Sequence, residues 1–128
     1  MKTTECSVSK KHILFVDDEE SLARLGADLL EDFGYQIVCA LSGQEALRLF
    51  QQEAGFFDIV ITDESMPGMS GIELAQEIYR VSVTTPVILC SGHMLTMQEE
   101  GIEQTNITAV LAKTDVCTKL PGMLEKIF

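Results

Sequence analysis

Runs of residues that are apolar without alternation recur along the chain, each ending in polar positions and followed by apolar residues at helical spacing. The first run, His12-Ile-Leu-Phe-Val16, ends in Asp17-Asp18-Glu19-Glu20. Uninterrupted apolar character is expected of a strand covered on both faces. Leu22, Leu25, Leu29 and Phe33 then come at helical spacing, with Gly34 as the expected stop. Tyr35 to Ala40 reads as a second strand. Ser42-Gly-Gln-Glu45 has the capping-box pattern ahead of Ala46, Leu47 and Phe50, in a helix expected to end at Gly55. The third run, Ile59 to Ile61, leads to Asp63, and Met66-Pro-Gly-Met-Ser-Gly71 must turn before another helix begins. Ser70-Gly-Ile-Glu73 repeats the capping box before a stripe of Ile72, Ala75, Ile78 and Tyr79. Val87 to Cys90 is the fourth predicted strand and ends at Ser91-Gly92-His93. Thr96-Met-Gln-Glu99 opens a helix expected to be short and mobile, because it carries Gly101 and a thin apolar stripe. Ala109 to Ala112 is the fifth strand and closes with Lys113. Proline is tolerated in the first turn of a helix, so Pro121 places the start of the last helix after Thr118, burying Leu120, Leu124 and Ile127.

Strands alternating with helices in this way predict an α/β fold with a parallel sheet, helices on both faces and right-handed crossovers. At 128 residues and 46% hydrophobic, the chain suits one core. Residues 1–11 are polar and without periodicity and read as a flexible lead-in, leaving 12–128 as one domain. The formal charge of −11 opposes a nucleic-acid backbone and favours a cationic ligand. Cys6, Cys39, Cys90 and Cys117 show no paired CxxC spacing, and Cys39 and Cys90 fall in strand-like runs where a small buried hydrophobe would serve. No segment has the length and apolarity of a membrane span or a signal h-region, so a cytoplasmic setting is expected.

In an open α/β sheet, ligands bind at the carboxyl ends of the strands. A parallel sheet brings Asp17, Asp18, Asp63, Ser91 and Lys113 to that one edge, although they are spread widely in sequence. Three neighbouring carboxylates either share a proton or bind a cation. Oxygen ligands with open positions suit Mg²⁺, which keeps waters and prefers carboxylates plus a phosphate oxygen. Lys113 adds a charge that pairs with Asp63 or with a phosphoryl group, and Ser91 adds a hydroxyl donor. Together these groups make a site for phosphoryl transfer to a carboxylate. His93 reads as a loop histidine at the mouth of that site, Glu64 and Ser65 flank the acceptor, and Met66, Met69, Met94 and Met97 read as packing residues.

Val16-Asp-Asp-Glu19, Thr62-Asp63 with Met66-Pro67-Gly68 close behind, the Ser91-Gly92 strand ending and the late Lys113 together resemble the receiver domain of two-component response regulators. The resemblance implies a flavodoxin-like (βα)5 three-layer sandwich with strand order 2-1-3-4-5. It implies that Asp63 accepts a phosphoryl group from a histidine kinase or phosphotransfer domain; the chain reads equally as a stand-alone receiver or as a piece of a longer protein with an attached kinase or output domain. By matched position, Asp18, Asp63 and the backbone carbonyl of Ser65 would ligate Mg²⁺ directly, Asp17 would act mostly through water, and Ser91 and Lys113 would contact the phosphoryl oxygens. Such a domain is a switch that catalyses only its own modification and slow hydrolysis. Two positions depart from the family pattern: Thr114 stands where a proline with a cis peptide bond usually comes after the lysine, and Val110 stands where an aromatic switch residue is common. These departures motivate a rival reading in which the chain signals through protein contacts, with phosphorylation weak or uncoupled. A haloacid-dehalogenase-like phosphatase would carry a second Asp at the place of Ser65, and Asp17-Asp18-Glu19-Glu20 would repel the phosphate of a flavin nucleotide.

Overall fold

The computed structural model describes residues 10–92 and 101–128. Its strands are β1 (His12–Val16), β2 (Gln36–Ala40), β3 (Ile59–Asp63), β4 (Val87–Ser91) and β5 (Ile107–Ala112). They form one parallel sheet in the order β2-β1-β3-β4-β5, as the resemblance implies. The helices are α1 (Glu20–Glu31), α2 (Gly43–Gln52), α3 (Gly71–Val81) and α4 (Val116–Ile127), with a 3-10 turn at Lys113–Asp115. The predicted helix start at Thr96, together with His93, Met94, Met97, Cys6 and most of the lead-in, lies outside the described residues.

Side chains alternate across a strand, so each strand feeds two cores. Leu14, Val16, Val60, Val87 and Leu89 pack with Phe50, Leu74 and Ile78 from α2 and α3. Ile13, Phe15, Ile59, Ile61, Ile88 and Leu111 pack with Leu30, Leu120 and Leu124 from α1 and α4. Burial on both faces explains the unalternating runs, and a helix layer on each face gives the expected three-layer sandwich. Met66 and Met69 pack at the margin of the first cluster, as expected.

The apolar stripe read for α1 is not the one that faces the sheet. Ala23, Gly26, Ala27 and Leu30 are buried, whereas Leu22, Leu25 and Phe33 are 38%, 55% and 55% exposed. Small residues win because the helix lies against the Phe15 ring: a Cβ on Gly26 would collide with Phe15 Cζ and sit 2.9 Å from Cε1. The helix stops at the expected place, with Gly34 at φ 95° and its N–H donating to the Glu31 carbonyl.

Two other expectations change. Cys39 is exposed, because β2 is an edge strand with one face open, while Cys90 in the sheet interior is buried. The last helix begins at Val116 instead of after Thr118, so Pro121 lies inside it and Ile127 is 38% exposed. A proline there removes the N–H that would bond the Cys117 carbonyl, and Cys117 lies on the exposed side of the helix, which continues past it.

Both predicted capping signals operate. Ser42 Oγ accepts from Glu45 N–H at 3.0 Å, while Glu45 reaches back one residue further than a full box and accepts from Leu41 N–H at 2.8 Å. Ser70 and Glu73 close the complete reciprocal box at the start of α3. Gly71, the first residue of that helix, has no room for a side chain: a Cβ would strike the Asp63 carbonyl and lie 2.7 Å from Leu89 Cδ1.

Candidate phosphoacceptor site

Register decides which strand-end groups meet. Val16 pairs with Thr62, Asp63 with Cys90, and Cys90 with Leu111. Asp17, Asp63 and Lys113 therefore continue the alternation of Phe15, Ile61 and Leu111 and fall on the α1/α4 side of the sheet edge. Lys113 Nζ lies 3.1 Å from Asp63 Oδ2, 3.8 Å from Asp17 Oδ2 and 3.9 Å from Glu19 Oε1. One carboxylate oxygen each from Asp17, Asp18 and Asp63 fits within 4.8 Å of the others. Asp17 and Asp63 are buried, whereas Asp18 is exposed and faces the solvent entrance.

The surrounding backbone holds these groups in place. Glu19 N–H donates to Asp17 Oδ1 at 3.0 Å, and Ser65 N–H donates to Asp63 Oδ1 at 3.4 Å. The buried Thr62 hydroxyl donates to the Asp63 carbonyl at 3.0 Å. Ser91 is buried at the end of β4, one position beyond the ladder partner of Asp63. Asp18, Glu19, Asp63, Ser65, Gly92 and Lys113 line an open depression of about 370 Å³. Asp17, Asp18, Asp63, Ser65, Ser91 and Lys113 thus lie at one sheet edge, while His93 falls outside the described residues. Glu19 joins them as a partner of the lysine that strand-end reasoning misses, although its place in the acidic run after β1 is an available signal.

Charge and burial compete here. Burial pushes the Asp17 carboxyl above its ordinary range, and the Asp63 and Asp18 charges add to this, against the Glu19 N–H and the Lys113 ammonium. Lys113 loses some affinity for its proton through burial, yet its hydrogen bond to Asp63 and the charges of Asp17 and Glu19 prevail and raise it. Burial, with Asp63 and Asp17 beside it, pushes the Cys90 thiol up to about 12, so it stays protonated and packs as a hydrophobe. Hard oxygen donors converging with room on the solvent side fit a divalent cation of the Mg²⁺ type, and Asp17, Asp18 and Asp63 are the residues that would hold it.

Residues 13–124 match the response regulator receiver domain family. The chain belongs to that family. Over 101 residues the receiver is 35% identical to the sensor histidine kinase RcsC of Salmonella typhimurium, covering 79% of this chain but only 10% of that protein. Among solved structures, the chemotaxis protein CheY4 of Vibrio cholerae superposes with a TM-score of 0.84 at 26% identity, covering 94% of this chain and all of that one. The response regulator TrrA of Thermotoga maritima, solved in complex with Mg²⁺ and BeF, gives a TM-score of 0.82 at 30% identity over 92% of this chain and 99% of its own. The receiver is thus a CheY-like, flavodoxin-type signalling domain of two-component systems rather than a conventional enzyme. No helix among the described residues is long and apolar enough to cross a membrane.

Thr114, where relatives of this family usually carry proline, does not prevent delivery of the lysine. Among the described residues no peptide bond is cis, and Lys113 opens the 3-10 turn with its ammonium on Asp63. Val110, in place of the common aromatic, is half-buried against the α2/α3-side core.

Proposed function

We propose that Asp63 is the phosphoacceptor of a two-component phosphorelay, receiving its phosphoryl group from a phosphohistidine on a kinase or phosphotransfer domain. The observation that carries this reading is the 3.1 Å approach of the Lys113 ammonium to a buried Asp63 carboxylate, with two further carboxylates at the same edge. An Asp63 oxygen forms the bond to phosphorus as the donor's P–N bond breaks, and the freed histidine nitrogen takes up a proton. A bound Mg²⁺ supplies charge neutralisation for the phosphoryl oxygens. Asp17, Asp18 and Asp63 would hold it, joined by the Ser65 carbonyl, with Asp17 the less direct of the carboxylates. Lys113 turns from Asp63 toward the new phosphoryl oxygens, and the Ser91 hydroxyl donates to them. Residues 12–128 act as the receiver, in the cytoplasm.

The test is incubation with a small phosphodonor such as phosphoramidate and Mg²⁺, read by intact-protein mass. The expected result is one added phosphoryl group that depends on Mg²⁺ and is lost in Asp63→Asn; full labelling of that variant overturns the assignment. A second reading, in which phosphorylation is weakly coupled to partner binding, is favoured by Val110, whose branched side chain packs in the core and cannot swing as an aromatic would. Amide shifts induced by beryllofluoride decide between them: shifts confined to residues around Asp63 favour weak coupling, whereas shifts reaching the surface built on β5 and α4 favour the full switch.

A further inference from the structure

Glu64, the residue after the acceptor, makes contacts that link two elements. Its N–H donates to the Cys90 carbonyl at 2.8 Å and extends the β3–β4 ladder by one step. Its carbonyl accepts from Gly71 N–H at 3.0 Å, and its side-chain Oε1 accepts from Ile72 N–H at 2.9 Å, eight positions along the chain.

A helix leaves four N–H groups without partners at its N-terminus. In α3, Ser70 N–H is taken by Glu73 Oε1 and Glu73 N–H by Ser70 Oγ, so the capping box satisfies two. The other two, on Gly71 and Ile72, are both taken by Glu64. The box is closed within the helix itself, whereas the Glu64 bonds reach back to the strand end and close the intervening loop into a ring. That ring contains Ser65, and Asp63 immediately precedes it. Gly71 permits the closure, since a Cβ there would lie 2.9 Å from Glu64 Cα.

We propose that Glu64 is a positioning residue: by tying the end of β3 to the start of α3, it holds the Ser65 carbonyl and the Asp63 carboxylate at the spacing that a divalent cation requires. The inference rests on the phosphoacceptor reading above for the identity of the cation. It distinguishes Glu64 from a helix cap, because a cap stabilises α3 alone, while this tie also sets the loop that carries Ser65 directly after Asp63. The bond to Ile72 N–H needs an acceptor oxygen in reach, which Gln keeps and Leu lacks, so Gln should substitute for Glu and Leu should not.

The experiment compares Glu64→Gln, Glu64→Leu and Ser70→Ala with the wild-type chain by Mg²⁺ titration calorimetry, and by amide exchange of the metal-free proteins. Glu64→Leu is expected to weaken Mg²⁺ binding about tenfold, in the range seen when groups supporting metal ligands are removed. It should also speed exchange at the Ser65 amide about tenfold. Glu64→Gln should stay within about twofold of wild type in both. Ser70→Ala, which breaks the capping box and leaves the tie intact, should lower thermal stability without changing either readout. Wild-type affinity in a folded Glu64→Leu protein, or equal losses in Ser70→Ala and Glu64→Leu, overturns the proposal. If the wild-type chain takes up no Mg²⁺, the metal reading fails separately. The exchange comparison then decides the tie: protection at Ser65 unchanged by Glu64→Leu overturns it, and selective loss sustains it.

Discussion

Replacing Lys113 by methionine keeps an unbranched side chain and removes the charge on which Asp63, Asp17 and Glu19 converge. At an effective dielectric constant of about 20, a unit pair 3.1 Å apart attracts by about 5 kcal/mol. Part of this is offset, since the variant no longer desolvates an ammonium, and water screens a side chain that is 27% exposed. A net loss of about 2–3 kcal/mol at neutral pH is expected, at or just below the low end for breaking a fully buried pair, as suits a lysine still partly in water. The loss carries a pH signature. Asp17 already titrates above its ordinary 3.8, and Lys113 is one of the groups opposing that rise. Without the ammonium the rise grows. A carboxyl with a raised folded-state pKa is destabilising when ionised, so its cost is full above the folded value and fades as pH falls toward 3.8. The stability gap between variant and wild type should therefore narrow as pH falls from about 7.5 toward 3.8. In the wild type the lysine's own contribution is complete below 10.5, and is lost only as pH rises through its higher folded value. Urea unfolding monitored by circular dichroism at about pH 7.5 and at lower pH measures both effects, and Mg²⁺ at the higher pH should stabilise the variant more than the wild type. Equal stabilities at about pH 7.5, or a gap that widens on acidification, would refute the electrostatic account.

Gly71→Ala should destabilise the chain by at least about 2 kcal/mol, because the new methyl meets the Asp63 backbone and Leu89 where neither yields easily; urea denaturation checks this, and Mg²⁺ binding should weaken in parallel. Pro121→Ala should raise stability by about 1–2 kcal/mol in thermal melts, since it restores a donor for the Cys117 carbonyl within α4 and relieves the ring clash that an interior proline imposes. A Pro121→Ala protein no more stable than wild type would show that α4 gains nothing from an unbroken ladder at that turn.

Whether a feature can be foreseen depends on how far it rests on distant geometry. The strands are legible because burial on both faces leaves a signature within five or six residues, as in Ile59–Asp63 and Val87–Ser91. The site comes from topology alone, since any parallel sheet aligns its carboxyl ends. The face of α1 is not legible from residue type, because depth there is set by the Phe15 ring, which demands Gly26, while Leu22 and Leu25 stay exposed. The reach of Glu64 to Ile72 is equally hidden, as a side chain bonding a backbone eight positions away leaves no local pattern. The missing proline after Lys113 has a different explanation. Asp63 is paired with Cys90, Cys90 with Leu111 and Ser91 with Ala112, so the ladder itself determines where β5 ends and which residue emerges opposite the acceptor. Lys113 is that residue whether threonine or proline stands next to it. Substitutions that slip the β4–β5 register should thus disable the lysine, whereas the identity of residue 114 should influence only the turn into α4.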